Sequence, residues 1–122
     1  QILSRNPEQL PKLVDRTWLS REKSAIQMAR EAQEAIETTA RPTGRADALR
    51  RFQRLELLRI GAADLLDYWD LTTVTRQLSH LADGVVRAAL TIAADVSAVD
   101  PAGFVVLALG KLGGEELNYS SD

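Results

Sequence analysis

The sequence predicts a mainly helical chain that ends in one buried strand and a glycine-rich turn. Two long stretches, at about residues 46–69 and 73–96, repeat apolar residues every three or four positions, which is typical of helices with one buried face. The six consecutive apolar residues from Phe104 to Leu109 lie between two glycines and are typical of a strand buried on both faces. The order of these patterns predicts helices first and a strand last.

Composition limits the classes of protein to consider. The chain has 122 residues, enough for one domain with a modest core, and is 45% hydrophobic and 26% charged, as in an ordinary soluble protein. Its net charge of −2 gives no basic excess for a nucleic acid partner, and the absence of cysteine excludes disulfides and thiolate metal sites. We find no signal-peptide pattern and no apolar run of membrane-spanning length, so we expect a cytoplasmic protein with no membrane partner.

The first part of the chain predicts two short-to-medium helices. Asn6 followed by Pro7 is a favoured helix start, and Pro11 limits that helix or restarts it. Ser20 is the predicted N-cap of a second helix over residues 21–39, whose thin, alanine-rich face suits close helix packing. The members of that face are Ala25, Ile26, Ala29, Ala32 and Ile36. The stretch 41–44, with its proline and glycine, is the predicted interior linker.

The third and fourth helices are predicted to pack as an antiparallel pair. Asp70 caps the fourth helix, and the short break around it leaves room only for a tight connection. Gly61 costs about 1 kcal/mol relative to alanine inside a helix, so packing must compensate for it. The predicted stripe of the third helix is Leu49, Phe52, Leu55, Leu58, Ala62, Leu65, Leu66 and Trp69. The predicted stripe of the fourth is Val74, Leu78, Leu81, Val85, Ala88, Ile92 and Val96.

The segment after the strand, residues 110–122, is called the motif segment below. Glycine permits positive φ and lets the backbone approach a ligand, and Gly110, Gly113 and Gly114 fall within five positions around the cation Lys111. Hydroxyl groups and the carboxylate of Asp122 follow, so the segment is a plausible phosphate and metal site. A strand followed by a glycine-rich turn is also common in any α/β domain. The lysine precedes the glycine pair, so neither the P-loop nor the dinucleotide-binding pattern applies.

The full string of the motif segment carries a family resemblance. It reads Gly110-Lys-Leu-Gly-Gly-Glu-Glu-Leu-Asn-Tyr-Ser-Ser-Asp122 and resembles the signature of the glutamine synthetase adenylyltransferase/deadenylylase family. The stretch from Leu49 to Ile60 also looks like that family's helical segment before the catalytic strand. The resemblance is good over about residues 45–122 and weak before them. Members are large, with two nucleotidyltransferase domains, and the signature continues with a second aspartate, so we expect this chain to be a fragment.

The resemblance implies a fold and a set of roles. Residues 1–102 would be a helical region, and residues 103–122 the first strand and glycine turn of an α/β nucleotidyltransferase domain related to DNA polymerase β. Oxygen ligands suit Mg²⁺, which neutralises charge in nucleotidyl transfer. Carried over by motif, the phosphate turn would be Gly110, Lys111, Gly113 and Gly114, the hydroxyls that donate to phosphate would be Ser120 and Ser121, and the catalytic metal ligand would be Asp122. Leu117 and Tyr119 are expected to be packing residues.

The resemblance also implies a reaction. One domain of the family removes AMP from a tyrosine of glutamine synthetase by phosphorolysis to ADP, and the other adds AMP from ATP. Asn118 is typical of the first, deadenylylating domain, because the second more often has glycine at that place. Glutamine synthetase is then the protein partner, and the PII signalling protein a possible partner of the full-length protein. The isolated fragment, with one of two acids, is expected to be inactive.

Two features of the helical part need an interpretation: the basic residues of the third helix and the single histidine. The third helix carries Arg50, Arg51, Arg54 and Arg59, which form either a solvated face or a face from which one arginine, best Arg59, meets the nucleotide or the partner. His80 lacks a second histidine or cysteine nearby, so we interpret it as a boundary or surface residue.

A second function class stays open at this point. Most of the chain is helical and the expected second acid is absent, so the chain could be a non-catalytic docking or regulatory module. Its strand would then complete the sheet of another segment.

Overall fold

A computed structural model describes residues 15–39 and 42–120 and confirms the mainly α fold class. Helices α2, α3 and α4 all contact one another and form a three-helix bundle, and α1 packs on α3. The predicted helix at Asn6 and Pro7 lies outside the described residues. The helices are α1, Arg16–Ser20; α2, Ala25–Glu37; α3, Pro42–Leu65; α4, Leu71–Ser97; and α5, Gly110–Gly113.

The long pair is antiparallel, as the short connection predicted. Arg45 at the start of α3 forms an ion pair with Asp95 at the end of α4, and residues 66–70 join the other ends of the two helices. Asp70 caps α4 as predicted, because its carboxylate accepts the N–H of Thr73 at 2.8 Å. That bond lowers the pKa of Asp70 below its usual value.

Helices α2 and α4 lie parallel to each other. The backbone N–H of Lys23, just before α2, bonds Gln77 of α4, and farther along both helices Thr91 donates to Gln33. Between these contacts the backbones approach closely at Gly84. A β-carbon at that position would lie 3.1 Å from the carbonyl oxygen of Met28. Helix α2 is therefore held against α4 along its whole length.

Helix boundaries differ from the sequence prediction at two places. Ser20 is the last residue of α1, and Ser24 is the N-cap of α2, where its hydroxyl accepts the N–H of Gln27 at 3.2 Å. The predicted cap was wrong because residues 21–24 form an extended loop between the two helices. Helix α3 begins at Pro42, inside the predicted linker, since proline is tolerated in the first turn of a helix.

The C-terminus of α3 comes four residues earlier than predicted. Tyr68 donates its N–H to the carbonyl of Ala63, and Asp67 donates to that of Asp64. Asp67 has φ 54, the left-handed conformation that ends a helix in a Schellman motif. Trp69 therefore lies beyond the helix, where its indole N–H donates to the carbonyl of Ser20 at 3.1 Å.

The core confirms the stripe of α4 better than the others. Val74, Leu78, Leu81 and Ala88 are buried as predicted, whereas Val96 is exposed. The stripe of α3 is partly wrong, because Leu65 is 84% exposed and Leu66 is exposed, while the buried residues include Ala48, Ile60 and Ala63. On α2, Ala32 and Ile36 are buried as predicted, Met28 joins them, and Ile26 is exposed.

The predicted strand is not formed within the described part of the chain. Residues 104–109 belong to no ladder, and the side chains of Phe104, Val105, Val106, Leu107 and Leu109 are exposed. A strand satisfies its backbone groups only beside another strand, and the described residues offer none. Among these residues, no helix combines the length and the apolar character needed to cross a bilayer.

Candidate functional site

The glycine-rich turn closes on itself as one helical turn, α5. The N–H of Gly113 donates to the carbonyl of Leu109, and that of Gly114 donates to Gly110. Gly113 must lack a side chain here, because a β-carbon would lie 2.5 Å from the carbonyl oxygen of Ala108. Phosphate binding through the amides of Gly113 and Gly114 would therefore require this turn to open.

The other predicted site residues occupy separate places. Lys111 lies within the turn, and its side chain is exposed. The hydroxyl and the backbone N–H of Ser120 both donate to the side-chain oxygen of Asn118, at 3.1 Å and 3.2 Å. Ser121 and Asp122 lie outside the described residues, so the structure leaves their predicted roles untested.

The middle of the motif segment packs on the helical bundle. Leu117 contacts the buried cluster formed by Met28, Ile60, Val74, Leu78 and Leu81, and its N–H donates to the hydroxyl of Ser79 at 3.2 Å. The hydroxyl of Tyr119 donates to the carboxylate of Asp64 at 3.0 Å. Burial, and then the contact with Asp64, raise the pKa of Tyr119, so this hydroxyl keeps its proton and continues to donate. Leu117 is a packing residue, as the sequence predicted, whereas the prediction was wrong for Tyr119, which is 56% exposed and is held to the bundle by its hydroxyl.

An open groove of about 470 Å³ separates the turn from the start of α4. Arg76 is a cation on its wall, and it also pairs with Glu22 at 3.0 Å. Glu115 and Glu116 bring two carboxylates to the opposite wall. The residues that line the groove are Leu71, Thr72, Thr75, Arg76, Gly114, Glu115 and Glu116.

A magnesium site is not formed by the described residues alone. No three of their histidine, aspartate or glutamate side chains converge as metal ligands would. Any site for the ion needs Asp122 or other groups outside them, so no chemical step through a metal is derived from this geometry.

The structure contains a buried polar network centred on Arg59, which the sequence analysis did not predict. This side chain is completely buried, and its guanidinium donates to Glu56 at 2.9 Å, to Gln77 at 3.1 Å and to the carbonyl of Arg21 at 2.6 Å. It also stacks over Trp69, 5.1 Å from the ring centre. Both interpretations of Arg59 are therefore wrong: it is neither solvated nor turned toward a ligand. Arg50, Arg51 and Arg54 are exposed, as in the solvated-face interpretation.

The network extends to the loop before α2. The ammonium group of Lys23 lies 2.7 Å from Glu56 and 2.6 Å from Glu31. Burial opposes ionisation of Glu31, but its hydrogen bonds with Lys23 and Gln27 and the nearby positive charges outweigh burial and lower its pKa. Each charge in the network thus has an opposite partner. This arrangement stabilises the connection between α1 and α2.

His80 lies at the edge of this network. It is half-buried, and its Nδ1 is 3.0 Å from the carbonyl oxygen of Lys23. A carbonyl can only accept, so Nδ1 carries the proton in this contact. The predicted position at the boundary of the core is confirmed.

Comparison with known sequences decides the family. The family model described as "Glutamate-ammonia ligase adenylyltransferase" matches residues 1–122. The chain belongs to this family. The match extends over the first part of the chain, where the motif resemblance was weak. No solved structure shows a significant match to the chain.

Curated members of the glutamate-ammonia ligase adenylyltransferase family are similar to about three fifths of the chain. A protein of Neisseria meningitidis serogroup B, strain MC58, is 44% identical over 79 residues, 62% of this chain. Proteins of Chromobacterium violaceum and Mycobacterium tuberculosis strain H37Rv are each 43% identical, over 62% and 60% of the chain. All three are named "Bifunctional glutamine synthetase adenylyltransferase/adenylyl-removing enzyme". The matched region spans only 9%, 9% and 8% of their respective lengths.

Proposed function

We propose that this chain belongs to an enzyme that transfers AMP to or from a tyrosine of glutamine synthetase and so regulates nitrogen assimilation. The observation that carries the proposal is the motif segment of a chain whose whole length matches the family. In this proposal residues 1–102 are a helical region, and residues 103–122 begin the nucleotidyltransferase domain. The protein acts in the cytoplasm, on glutamine synthetase and under control of the PII signalling protein.

The proposed roles follow the accessible groups of the motif segment. Lys111, an exposed residue of the turn, meets the phosphates of ATP or ADP, and Gly110, Gly113 and Gly114 let the nucleotide approach the backbone once the turn opens. Ser120 and Ser121 donate to phosphate, for which Ser120 must exchange its bond with Asn118. Asp122 is the catalytic carboxylate and the proposed ligand of Mg²⁺, a metal that favours oxygen ligands.

We assign the segment to the deadenylylating half of the enzyme. The support is Asn118, whose side chain accepts both bonds from Ser120, whereas a glycine at this place would accept neither. In this reaction an oxygen of inorganic phosphate attacks the phosphorus of tyrosine-linked AMP. The bond to the tyrosine oxygen breaks, the tyrosine recovers a proton, and ADP leaves.

The test is Asp122→Asn in the protein that contains this segment, with AMP removal and AMP addition measured separately. The amide keeps the size of the side chain but loses its charge, and loss of such a charge costs several kcal/mol in the transition state. We expect removal of AMP to be abolished and addition to be retained. The matched control is Asp47→Asn, an exposed aspartate of α3 in a surface pair with Arg50, which should change neither reaction.

Two other outcomes are informative. Loss of addition with retained removal would place the segment in the adenylylating half. Full activity in both directions would contradict the assignment of Asp122 and favour a non-catalytic docking or regulatory module.

A further inference from the structure

We infer that Asp64 and Ser79, two residues of the helical bundle, position the motif segment for catalysis through Tyr119 and Leu117. This inference rests on the proposed function, since it assigns positioning residues to the same site. Asp64 is in the last turn of α3, and Ser79 is in the third turn of α4. They flank the path of the motif segment over the bundle from two different helices.

The first contact fixes Tyr119. Its hydroxyl donates to the carboxylate of Asp64 at 3.0 Å, across 55 residues of sequence. Tyr119 also passes over Gly61 of α3, where a β-carbon would lie 4.0 Å from its hydroxyl oxygen. That distance is an ordinary van der Waals contact, so the hydrogen bond to Asp64 is the contact that sets the place of the hydroxyl.

The second contact fixes Leu117. Its backbone N–H donates to the hydroxyl of Ser79 at 3.2 Å, and that hydroxyl in turn donates to the carbonyl of Thr75 at 2.9 Å. Ser79 is only 1% exposed, so its orientation is set by the surrounding helix. The partly buried side chain of Leu117 packs against the cluster that contains Leu78 and Leu81.

Together the contacts determine the course of the chain toward the proposed catalytic residues. Two residues fixed on one surface, with one residue between them, define the direction of the backbone at that point. Ser120 follows directly and is bonded to Asn118 between the two fixed residues. Because a displacement of about 1 Å at a reacting group can reduce a rate about 100-fold, loss of either contact should disturb the groups that follow.

The first experiment removes the contact from both sides in the full-length protein. Tyr119→Phe deletes only the hydroxyl, and Asp64→Ala deletes its acceptor. We expect each to lower the kcat of AMP transfer about tenfold or more, within the range that misplacement produces, with a smaller change in KM. The double variant should lose no more than either single variant. Asp64→Asn keeps a side-chain oxygen that accepts the hydroxyl, so it should retain most of the activity.

Tyr68→Phe is the matched control. Tyr68 is the only other tyrosine of the chain and lies just past the end of α3, and the same deletion there should leave kcat unchanged.

The second experiment measures the position of the segment independently of activity. Hydrogen exchange of the backbone amides of residues 117–120 should become at least tenfold faster in Tyr119→Phe, in Asp64→Ala and in Ser79→Ala. Exchange in α2, α3 and α4 should be unchanged. Asp64→Asn and Tyr68→Phe should resemble the unmodified protein.

The outcomes separate this inference from the proposed function. Unchanged kcat and unchanged exchange in Tyr119→Phe would overturn the inference even if Asp122→Asn is inactive. Faster exchange throughout the bundle would also overturn it, because the residues would then act only on the stability of the fold. If Asp122→Asn remains fully active, the proposed function fails, and the exchange result alone decides whether Asp64 and Ser79 hold the segment.

Discussion

At the scale of single residues, the structure depends on a charge where a hydrophobic side chain would be expected. Arg59 is completely buried and belongs to the same face of α3 as Leu49, Phe52, Glu56 and Ala63. Removing two charges from water is costly, and their attraction repays the cost only when the remaining donors and acceptors are paired. Here the guanidinium has three partners and Glu56 binds Lys23 as well, so that condition is met.

The residue-scale prediction concerns this network. Arg59→Leu leaves the buried carboxylate of Glu56 with one partner fewer and Gln77 without its donor from α3. We expect a loss of about 3–5 kcal/mol in the free energy of unfolding, the range found when one partner of a buried pair is removed. Chemical denaturation monitored by circular dichroism measures the loss.

The control is the same substitution on the exposed side of the helix. Arg54→Leu should change the free energy of unfolding by no more than about 0.5 kcal/mol, as surface substitutions usually do. If the free energy of unfolding falls equally in the two variants, the buried network does not stabilise the fold more than a surface arginine does.

At the scale of the elements, two glycines inside helices have opposite surroundings. Gly84 of α4 faces the backbone of α2, and a β-carbon there would lie 3.1 Å from the carbonyl oxygen of Met28 and 3.3 Å from the α-carbon of Ala29. Gly61 of α3 has only the tyrosine hydroxyl of Tyr119 near it, at 4.0 Å. Both positions carry the same helix-weakening residue. The close approach of α2 explains why Gly84 lacks a side chain, whereas no such contact requires a glycine at position 61.

The element-scale prediction uses this difference. Gly61→Ala should raise the free energy of unfolding by about 1 kcal/mol, since alanine is the better helix former and the space is available. Gly84→Leu should lower it by about 1–3 kcal/mol or more, because the side chain forces α2 away from α4. Thermal unfolding of both variants tests the pair. A stabilised Gly84→Leu protein would mean that α2 and α4 do not approach as described.

At the scale of the whole molecule, the helices of the bundle bury their apolar residues against one another, whereas the apolar side chains of residues 104–109 are exposed. The side chains of Val105 and Leu107 are 72% and 79% exposed, although they belong to a run of six apolar residues that would normally be buried. The described residues provide no strand beside them, so their backbone groups are not protected by a ladder.

The whole-molecule prediction is a pattern of proteolysis. Chymotrypsin should cut this chain first after Phe104, Leu107 or Leu109, because protease needs an accessible, extended backbone. The leucines of α4, such as Leu78 and Leu81, should resist until the bundle unfolds. First cuts within α4 would contradict the description of the bundle as the stable part of this chain.

The sequence determined the helices that have one clear apolar stripe, as α4 shows. Its cap at Asp70, its antiparallel partner and its buried apolar residues Val74, Leu78, Leu81 and Ala88 could be predicted, because local hydrogen bonding and helical periodicity are properties of nearby residues. The motif segment also carried its family in the order of its side chains alone, and the family comparison confirmed it.

The sequence carries a weak signal for the buried polar residues that it did not predict. Glu56 and Arg59 repeat at helical spacing with Leu49, Phe52 and Ala63, and Gln77 has the same relation to Leu81, Gly84 and Ala88. A polar residue in phase with a buried stripe indicates a buried hydrogen bond only if a partner exists, and sequence spacing cannot supply a partner 38 or 54 residues away. Asp64 and Ser79 gave no signal for the same reason.

Tertiary structure alone therefore decided which face of α3 is buried, which arginine is structural and where the motif segment lies on the bundle. These depend on contacts between distant parts of the chain, such as Tyr119 with Asp64 and Arg59 with Gln77. The apolar run 104–109 shows the same principle in reverse, since its sequence favours a strand, yet a strand exists only where a second segment pairs with it. Sequence determines what each segment can form, and the available partners decide what it does form.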